Sequence, residues 1–420
     1  MLKNLIFSLS VGLVLIILTT VIVAYGKGYR IDLQKKSVGP TGLLVATSYP
    51  NGAQIFGNGK LISATNSTVS LPPGWYDLKI IKEGYLPWDK RVKIQGKIVT
   101  KADALLFPTS PELKPLTQRG IESPKVSPDG SRLAFIIPLD KTATAGAEIK
   151  NKTGVWVLDL KDGNVLFARD PRQIATSNYP YDFTQSLLYW SPDTKQVLVV
   201  KKSKDEKTKK TILISSYLLD TDKLNSFPTL VSNPEEIMTS WKEDFALKQS
   251  DILKPFPETV KYIATASAKK VNLSPDELKL LYVATNSGTL PQVIIPPMIG
   301  TNSTPETRNL KPGGIYVYDL KEDKNYLLGM QKELDEGEIE DLYNPTTRIG
   351  WYTDSNHLYW VRKDGIFISE FDGMNKTPVY TGSFENNFVY PWPSGNRLII
   401  LTNYNKSAGQ LPNLYSINLR

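Results

Sequence analysis

The chain has no cysteine and a single histidine, His357. Without thiols it forms no disulfide, no thiolate metal site and no cysteine nucleophile. One imidazole cannot supply the paired histidines of the common zinc hydrolase motifs. The sequence also lacks a Gly-x-Ser-x-Gly nucleophile elbow, a Gly-x-x-x-x-Gly-Lys phosphate loop and a dinucleotide fingerprint. Clustered charge is scarce as well. The formal charge is +8, from 50 Lys and Arg against 42 Asp and Glu, and the basic residues are scattered. No nucleic-acid partner is expected from such a surface, and no metal or cofactor from such a residue set.

What is present points to a folded, strand-rich protein. Hydrophobic residues make up 41% of 420, enough for two or three domains with real cores. Asn, Thr, Ser, Tyr and Pro are plentiful, which suits short strands joined by turns. The first feature is an uncharged run, "LIFSLSVGLVLIILTTVIVAY", Leu5 to Tyr25. As a helix rising about 1.5 Å per residue it spans roughly 30 Å, the thickness of a bilayer core. The run exceeds a typical signal-peptide core, and no small-x-small cleavage site precedes Gly26. An uncleaved single-pass anchor over 1–30 is therefore expected, in preference to a signal peptide or a buried helix. Tyr25 and Tyr29 fall where interfacial aromatics belong. Lys27, Arg30, Lys35 and Lys36 follow the run while Lys3 precedes it, which by charge alone would hold the rest of the chain in the cytoplasm. Long C-terminal domains translocate largely regardless of charge, and the family resemblances below point outward, so the extracytoplasmic side of a cell membrane is expected.

After a linker over 31–41, alternating β-branched stretches occur at Gly42–Ser48, Ala53–Phe56, Trp75–Lys82 and Lys90–Ile94. Pro50-Asn51-Gly52, Gly57-Asn58-Gly59, Pro72-Pro73-Gly74 and Glu83-Gly84 supply turns between them. These predict a small β-sandwich over 42–108. Pro50-Asn51-Gly52-Ala53, Pro73-Gly74-Trp75-Tyr76 and Gly84-Tyr85-Leu86-Pro87-Trp88, in that order, resemble the PEGA domain family, with Asn51 replacing the family's Glu. The resemblance implies an envelope module for contact or spacing, with no catalytic residues. Trp75, Tyr76, Tyr85 and Trp88 are expected to fill the thin core and its rim; the alternative is an aromatic patch that grips sugar or protein.

The remainder repeats itself. "VSPDGSRLAF" (Val126–Phe135) recurs as "YWSPDTKQVLVV" (Tyr189–Val200), "NLSPDELKLLYVA" (Asn272–Ala284), "GWYTDSNHLYWV" (Gly350–Val361) and "YPWPSGNRLIIL" (Tyr390–Leu401). Asp129, Asp193, Asp276 and Asp354 align, and Ser394 takes that place in the last copy. A second strand follows each: Gly154–Gly163, Ile212–Asp222, Gly314–Asp323, Gly365–Gly373 and Asn413–Leu419. Such repetition signals a β-propeller or similar array. The repeats resemble TolB-like, WD-like propellers, which implies a platform that binds proteins. The fifth unit lacks an outer strand, which "ELKPLTQ", Glu112–Gln118, would supply. That arrangement yields five blades. Familiar TolB-like propellers have six, so a degenerate sixth is the alternative.

Three insertions interrupt the repeats. In a helical insert over 233–265, Asn233 is a candidate N-cap with Pro234 at N1 and Glu236 as its capping partner. Ile237, Trp241 and Phe245 form one apolar stripe of a helix packed on the propeller, with partner binding as the alternative. A long loop over 285–313 has an apolar centre, Val293 to Ile299, that should not sit in water. It is expected to cover a propeller face or the sandwich, or to contact a partner. The basic run Lys201–Lys210 reads as a solvated hairpin tip, with lipid headgroups or anionic wall polymer as the alternative contact.

The fold class is thus all-β: a transmembrane helix, a PEGA-like β-sandwich, then a TolB-like β-propeller over 109–420. No catalytic, cofactor-binding or metal residue is nominated. His357, in the fourth turn, reads as a solvated corner. The aspartates of "DTD" (Asp220–Asp222) and "DLKED" (Asp319–Asp323) read as hairpin ends, too short for a calcium loop. Asp129, one of four aligned copies, reads as a turn residue that accepts local backbone hydrogen bonds. The expected function is a non-enzymatic, membrane-tethered scaffold of the cell envelope that binds protein or polysaccharide on the propeller face. The alternatives are a glycan-directed hydrolase with paired funnel carboxylates, and a ligand sensor acting through a partner membrane protein.

Overall fold

A computed structural model describes residues 2–26, 29–32, 37–139, 152–160, 170–204, 211–334, 348–385, 387–404 and 411–420. The chain forms two units. The first comprises residues 1–109, 292–307 and 321–324, and the second residues 110–291, 308–320 and 325–420.

The first unit opens with helix α1, Leu2–Gly26. Its stretch Phe7–Gly26 is long and apolar enough to cross a membrane, and none of it is buried in protein. A hairpin of Tyr29–Asp32 and Ser37–Pro40 follows, pairing Tyr29 with Pro40, so the chain returns beside the point where it left the helix. Residues 33–36 of the linker lie outside the described residues. The sandwich packs a three-stranded sheet (Ser67–Leu71, Gly42–Tyr49, Val99–Leu105) on a four-stranded one (Lys60–Ala64, Gln54–Gly57, Gly74–Ile81, Trp88–Ile94). Alternation aims Leu44, Ala46, Ile55, Leu78, Ile80, Val92 and Ile94 into a single core. Trp88 is buried in that core, Tyr76 and Tyr85 pack against it, and Trp75 stands half-exposed at the rim.

Among the described residues the second unit holds five four-stranded antiparallel sheets; four are meanders in chain order, and the fifth takes one strand from the start of the unit. Sheet 1 is Glu122–Val126, Arg132–Ile137, Gly154–Asp159 and Arg172–Thr176. Sheet 2 is Leu187–Trp190, Gln196–Lys204, Thr211–Asp220 and Thr229–Leu230. Sheet 3 is Ala268–Leu273, Lys279–Ala284, Gly314–Asp319 and Lys324–Met330. Sheet 4 is Ile349–Trp351, His357–Arg362, Gly365–Glu370 and Thr377–Tyr380. Sheet 5 is Val389–Pro391, Arg397–Thr402, Asn413–Asn418 and, from the start of the unit, Leu113–Pro115. In that closure Leu113 pairs with Ile417 and Pro115 with Tyr415. Strands from both ends of the unit therefore share one sheet, as the incomplete fifth repeat implies.

Each sheet alternates two apolar faces between its neighbours. In sheet 2, Val197 and Val199 join Ala134 and Ile136 of sheet 1. In sheet 3, Leu281 and Val283 join Trp351, Leu358 and Trp360 of sheet 4. Indole N–H groups add polar links: Trp190 donates to the Lys125 carbonyl and Trp351 to the Asn272 carbonyl, each at 3.0 Å. The opposite faces of sheets 2 and 3 meet helices. Helix α2, Pro234–Leu253, lays Met238 and Trp241, with Ile237 and Phe245 beside them, on Leu198 and Val200 of sheet 2. Helix α3, Glu258–Ala266, lays Val260 and Ala264 on Leu280, Tyr282 and Ala284 of sheet 3. The helical pair thus fills, between sheets 2 and 3, the place another sheet takes elsewhere. The apolar stripe of α2 packs as expected, but its capping box does not form. Asn233 makes no side-chain bond to the helix backbone; its amide instead reaches the Glu236 carboxylate at 3.5 Å.

Candidate functional site

A meander places its first and third turns on one edge of a sheet and its second turn and exit on the other. The first edge carries the repeated aspartates. In sheet 1, Gly130 N–H donates to the Ser127 carbonyl at 2.9 Å, closing a tight turn, and Gly130 has φ +70°. Thr194, Glu277, Ser355 and Gly395 hold the same left-handed position in the other sheets, with φ between 59° and 67°. This is the type I turn with a left-handed fourth residue that joins strands in hairpins of this length.

The aspartates complete these turns. Ser127 Oγ donates to Asp129 Oδ1 at 2.6 Å, which also accepts the Ser131 N–H at 3.1 Å; Asp129 Oδ2 takes the Ser131 hydroxyl at 2.7 Å. The Ser127 hydroxyl in turn accepts the Arg132 N–H at 2.9 Å. Sheets 2 and 3 repeat the arrangement with Ser191 and Asp193, and with Ser274 and Asp276. In sheet 4 Tyr352 replaces the serine, so Asp354 Oδ1 accepts the N–H groups of both Asn356 and His357, each at 3.0 Å. In sheet 5 the Ser394 hydroxyl donates to Asn396 Oδ1 at 2.6 Å. These bonds favour the charged carboxylate. The Ser191 hydroxyl bond holds Asp193 below the usual carboxylate range. Burial pushes Asp276 up, but the Ser274 hydroxyl, the Leu278 N–H and Lys279 outweigh it and leave it lowered. Burial likewise pushes Asp354 up, and His357 with two backbone N–H groups brings it below the ordinary value.

His357 is not a solvated corner. Its ring is buried and Nδ1 lies 2.7 Å from Asp354 Oδ2. It belongs to a column overlooked in the sequence: three residues after each aligned Asp or Ser come Arg132, Gln196, Lys279, His357 and Arg397. Two of these reach the next sheet. Arg132 pairs with Asp222 at 2.8 Å and donates to Thr221 Oγ1 at 2.7 Å, while Arg172 bonds Asp159 at 2.6 Å and the Thr221 carbonyl at 2.8 Å. Lys279 Nζ lies over the Phe371 ring, 4.9 Å from its centroid. Arg397 stacks on Trp392 within its own turn at 4.0 Å. The signal was a fixed offset from the aspartate, legible once the copies are aligned.

The other hairpin ends also serve architecture. Asp220 accepts the Asp222 N–H at 2.9 Å. In the Asp319–Asp323 run, Asp323 Oδ2 accepts the N–H groups of Val293 and Ile294 at 2.7 and 2.9 Å, and Glu322 accepts that of Asn302 at 3.0 Å. These carboxylates clamp the long loop. Its stem pairs Gly288–Thr289 with Asn309–Leu310. Its centre belongs to the first unit, where the Lys93 N–H, on an edge strand of the sandwich, donates to Ser303 Oγ at 3.0 Å. Most apolar side chains of that centre are exposed, with Ile295 and Ile299 each at 79%, so of the two expected alternatives they do not pack onto this chain. Backbone bonds to buried Asp323 and half-buried Glu322, not burial of side chains, fix the segment.

Among the described residues the second edge of the propeller shows no counterpart of the repeated aspartate. Its connections differ in length and sequence, and residues 140–151, 205–210 and 405–410 of them lie outside the described residues, including most of the basic run after Lys204. The connection from sheet 1 to sheet 2 is firmly held. Asp182 pairs with Lys201 at 2.8 Å and accepts the Thr184 N–H at 3.0 Å. Tyr181 and Phe183 pack edge-on against Tyr217, at 5.5 and 5.8 Å between ring centroids. From this braced turn Tyr179 projects fully into solvent, and Tyr404, on the same edge of sheet 5, is largely exposed. Exposed aromatics on unrepeated loops are what a binding surface presents. Among the described residues no group of three or more His, Asp or Glu side chains is arranged to hold a metal.

Known proteins match in parts. The PEGA domain family matches residues 41–110, which covers the sandwich. No curated protein matches the chain. Among solved structures, a putative TolB from Agrobacterium tumefaciens is 15% identical over 71% of this chain and 79% of its own, with a TM-score of 0.21. The β-propeller domain of the Trilobed protease from Pyrococcus furiosus is 13% identical over 90% and 96%, with a TM-score of 0.23. An oligogalacturonate lyase from Vibrio parahaemolyticus is 8% identical over 93% and 96%, with a TM-score of 0.25. At such scores the backbones do not superpose as wholes, so no activity passes from these proteins to this one. The chain carries a PEGA domain followed by a β-propeller that is similar in part to TolB structures.

Proposed function

We propose that the protein is a non-enzymatic scaffold of the cell envelope, tethered by α1 with the bulk of the chain on the extracytoplasmic side, and that the unrepeated edge of the propeller binds protein or polysaccharide. One observation carries the reading. The repeated carboxylates are consumed in their own turns, while exposed aromatics stand on the opposite edge, with Tyr179 on a braced connection. The PEGA match supports an envelope setting, and α1 supports a tether.

The test is direct. Full-length protein in detergent or nanodiscs is incubated with envelope glycans and peptides, and both hydrolysis and retention are followed. Retention without turnover is the expected result, weakened by Tyr179→Ala and Tyr404→Ala. Turnover of either substrate would replace the scaffold with an enzyme.

A further inference from the structure

We infer that the exposed segment Val293–Ile299 is a second membrane contact, lying in the headgroup interface beside the end of α1. The inference rests on reading α1 as a membrane span. Three lines of observation within the first unit support it.

The segment is apolar, exposed and fixed. Val293, Ile295, Met298 and Ile299 face solvent, while Asp323 and Glu322 hold the backbone on either side. Loose apolar loops fold back on themselves; this one is braced with its side chains outward.

It also sits at the anchored end of the sandwich. Two residues separate Gly26 from Tyr29, so the three Cα-to-Cα steps reach at most about 11 Å. Tyr29 pairs with Pro40, and its ring lies under Lys97 Nζ at 5.5 Å. Lys97 N–H donates to the Thr41 carbonyl at 2.9 Å, and Ile98 follows it. Gly300 touches Ile98: a methyl group built on that glycine would meet Ile98 Cγ2 at 2.7 Å. A series of contacts therefore runs from Tyr29, close in sequence to the end of the span, to Gly300, the neighbour of Ile299.

The rest of that end has the composition of an interfacial surface. Leu43 and Val99 are cross-strand neighbours and both half-exposed. Trp75, paired with Lys93 near the same end, is half-exposed with Arg91 and Lys93 within cation–π range at 5.3 and 5.9 Å. Apolar side chains, an amphipathic indole and flanking cations are what the water–lipid boundary selects. A soluble partner would not require this surface to adjoin the anchor.

The absence of cysteine makes the test clean. Ile299→Cys and, separately, Met298→Cys are labelled with an environment-sensitive fluorophore in the full chain, with Glu83→Cys, in the hairpin at the far end of the sandwich, as the control. Each is reconstituted into phosphatidylcholine–phosphatidylglycerol vesicles with or without a lipid nitroxide-labelled near the headgroup. Flotation first reports whether the chain is inserted. With insertion, a blue-shifted emission at 298 and 299 that the nitroxide quenches, and none at 83, supports the contact. Insertion with unquenched emission at both loop positions overturns it, even if a second protein copy shields them. Failure to float overturns the reading of α1 and the contact with it.

Discussion

The two edges of the propeller are built from the same strands and differ in almost everything else. On one edge, five hairpins share a left-handed fourth residue, and four place a carboxylate in the same position. On the other, no two connections are alike, and Tyr179 and Tyr404 stand in solvent. Repetition is the mark of a task that every sheet must perform, which is to turn the chain. A task performed once, such as holding a ligand, leaves no repeat. The edge with the most conspicuous motif is therefore the edge to set aside when searching for function.

If the turn edge is architecture, changes there should move stability and leave binding alone. The largest effect is expected from Gly130→Ala. The new methyl group would clash with the Tyr390 hydroxyl in a backbone with φ +70°. Strain of the left-handed residue and displacement of a packed ring together cost about 2–3 kcal/mol, read as a lower denaturant midpoint. Asp129→Ala removes the acceptor of two hydroxyls and one N–H and should cost about 1–2 kcal/mol, with retention of envelope ligands unchanged. Loss of retention at full stability would make Asp129 part of a site.

Acid should act through the same carboxylates. Asp193, Asp276 and Asp354 all titrate below their ordinary value of 3.8 in the folded protein. A depressed carboxylate stabilises the fold above that value, and its contribution is lost as pH falls through the lower, folded-state value. Thermal midpoints should thus drop on acidification below about pH 4, and Asp276→Asn should flatten that dependence. A variant with the parental pH profile would mean that Asp276 contributes nothing to it. The smallest effect is expected from Glu277→Gly. Glycine accepts φ +59° without penalty, and the gain of up to about 1 kcal/mol should appear as a raised midpoint.

The sequence carried the propeller more fully than the sandwich, for a physical reason. Five copies of one turn and strand reinforce each other, and an incomplete last copy even points to the closing strand at Leu113–Pro115. The sandwich has no such redundancy. Lys60–Ala64 and Ser67–Leu71 bury no residue fully, and Val99–Leu105 joins Gly42–Tyr49 in parallel although the two lie far apart in the chain, which no local pattern encodes. The exposure of Val293–Ile299 is not legible because hydrophobicity predicts burial, and Asp323, the buried acid that holds its backbone, lies far along the chain. His357 was misplaced by reading it in its own turn; alignment of the five copies puts it with Arg132 and Lys279. Tyr179 carried no signal at all, since an exposed aromatic on a unique loop resembles any other loop residue.

The contrast between the edges can be tested within one sheet. A photo-crosslinking amino acid is placed either at Tyr179, in the connection entering sheet 2, or at Lys195, in the turn of that sheet, and the full chain is irradiated in its native envelope. Covalent adducts at 179 and none at 195 are expected. Adducts at 195 with none at 179 would contradict the assignment of binding to the unrepeated edge.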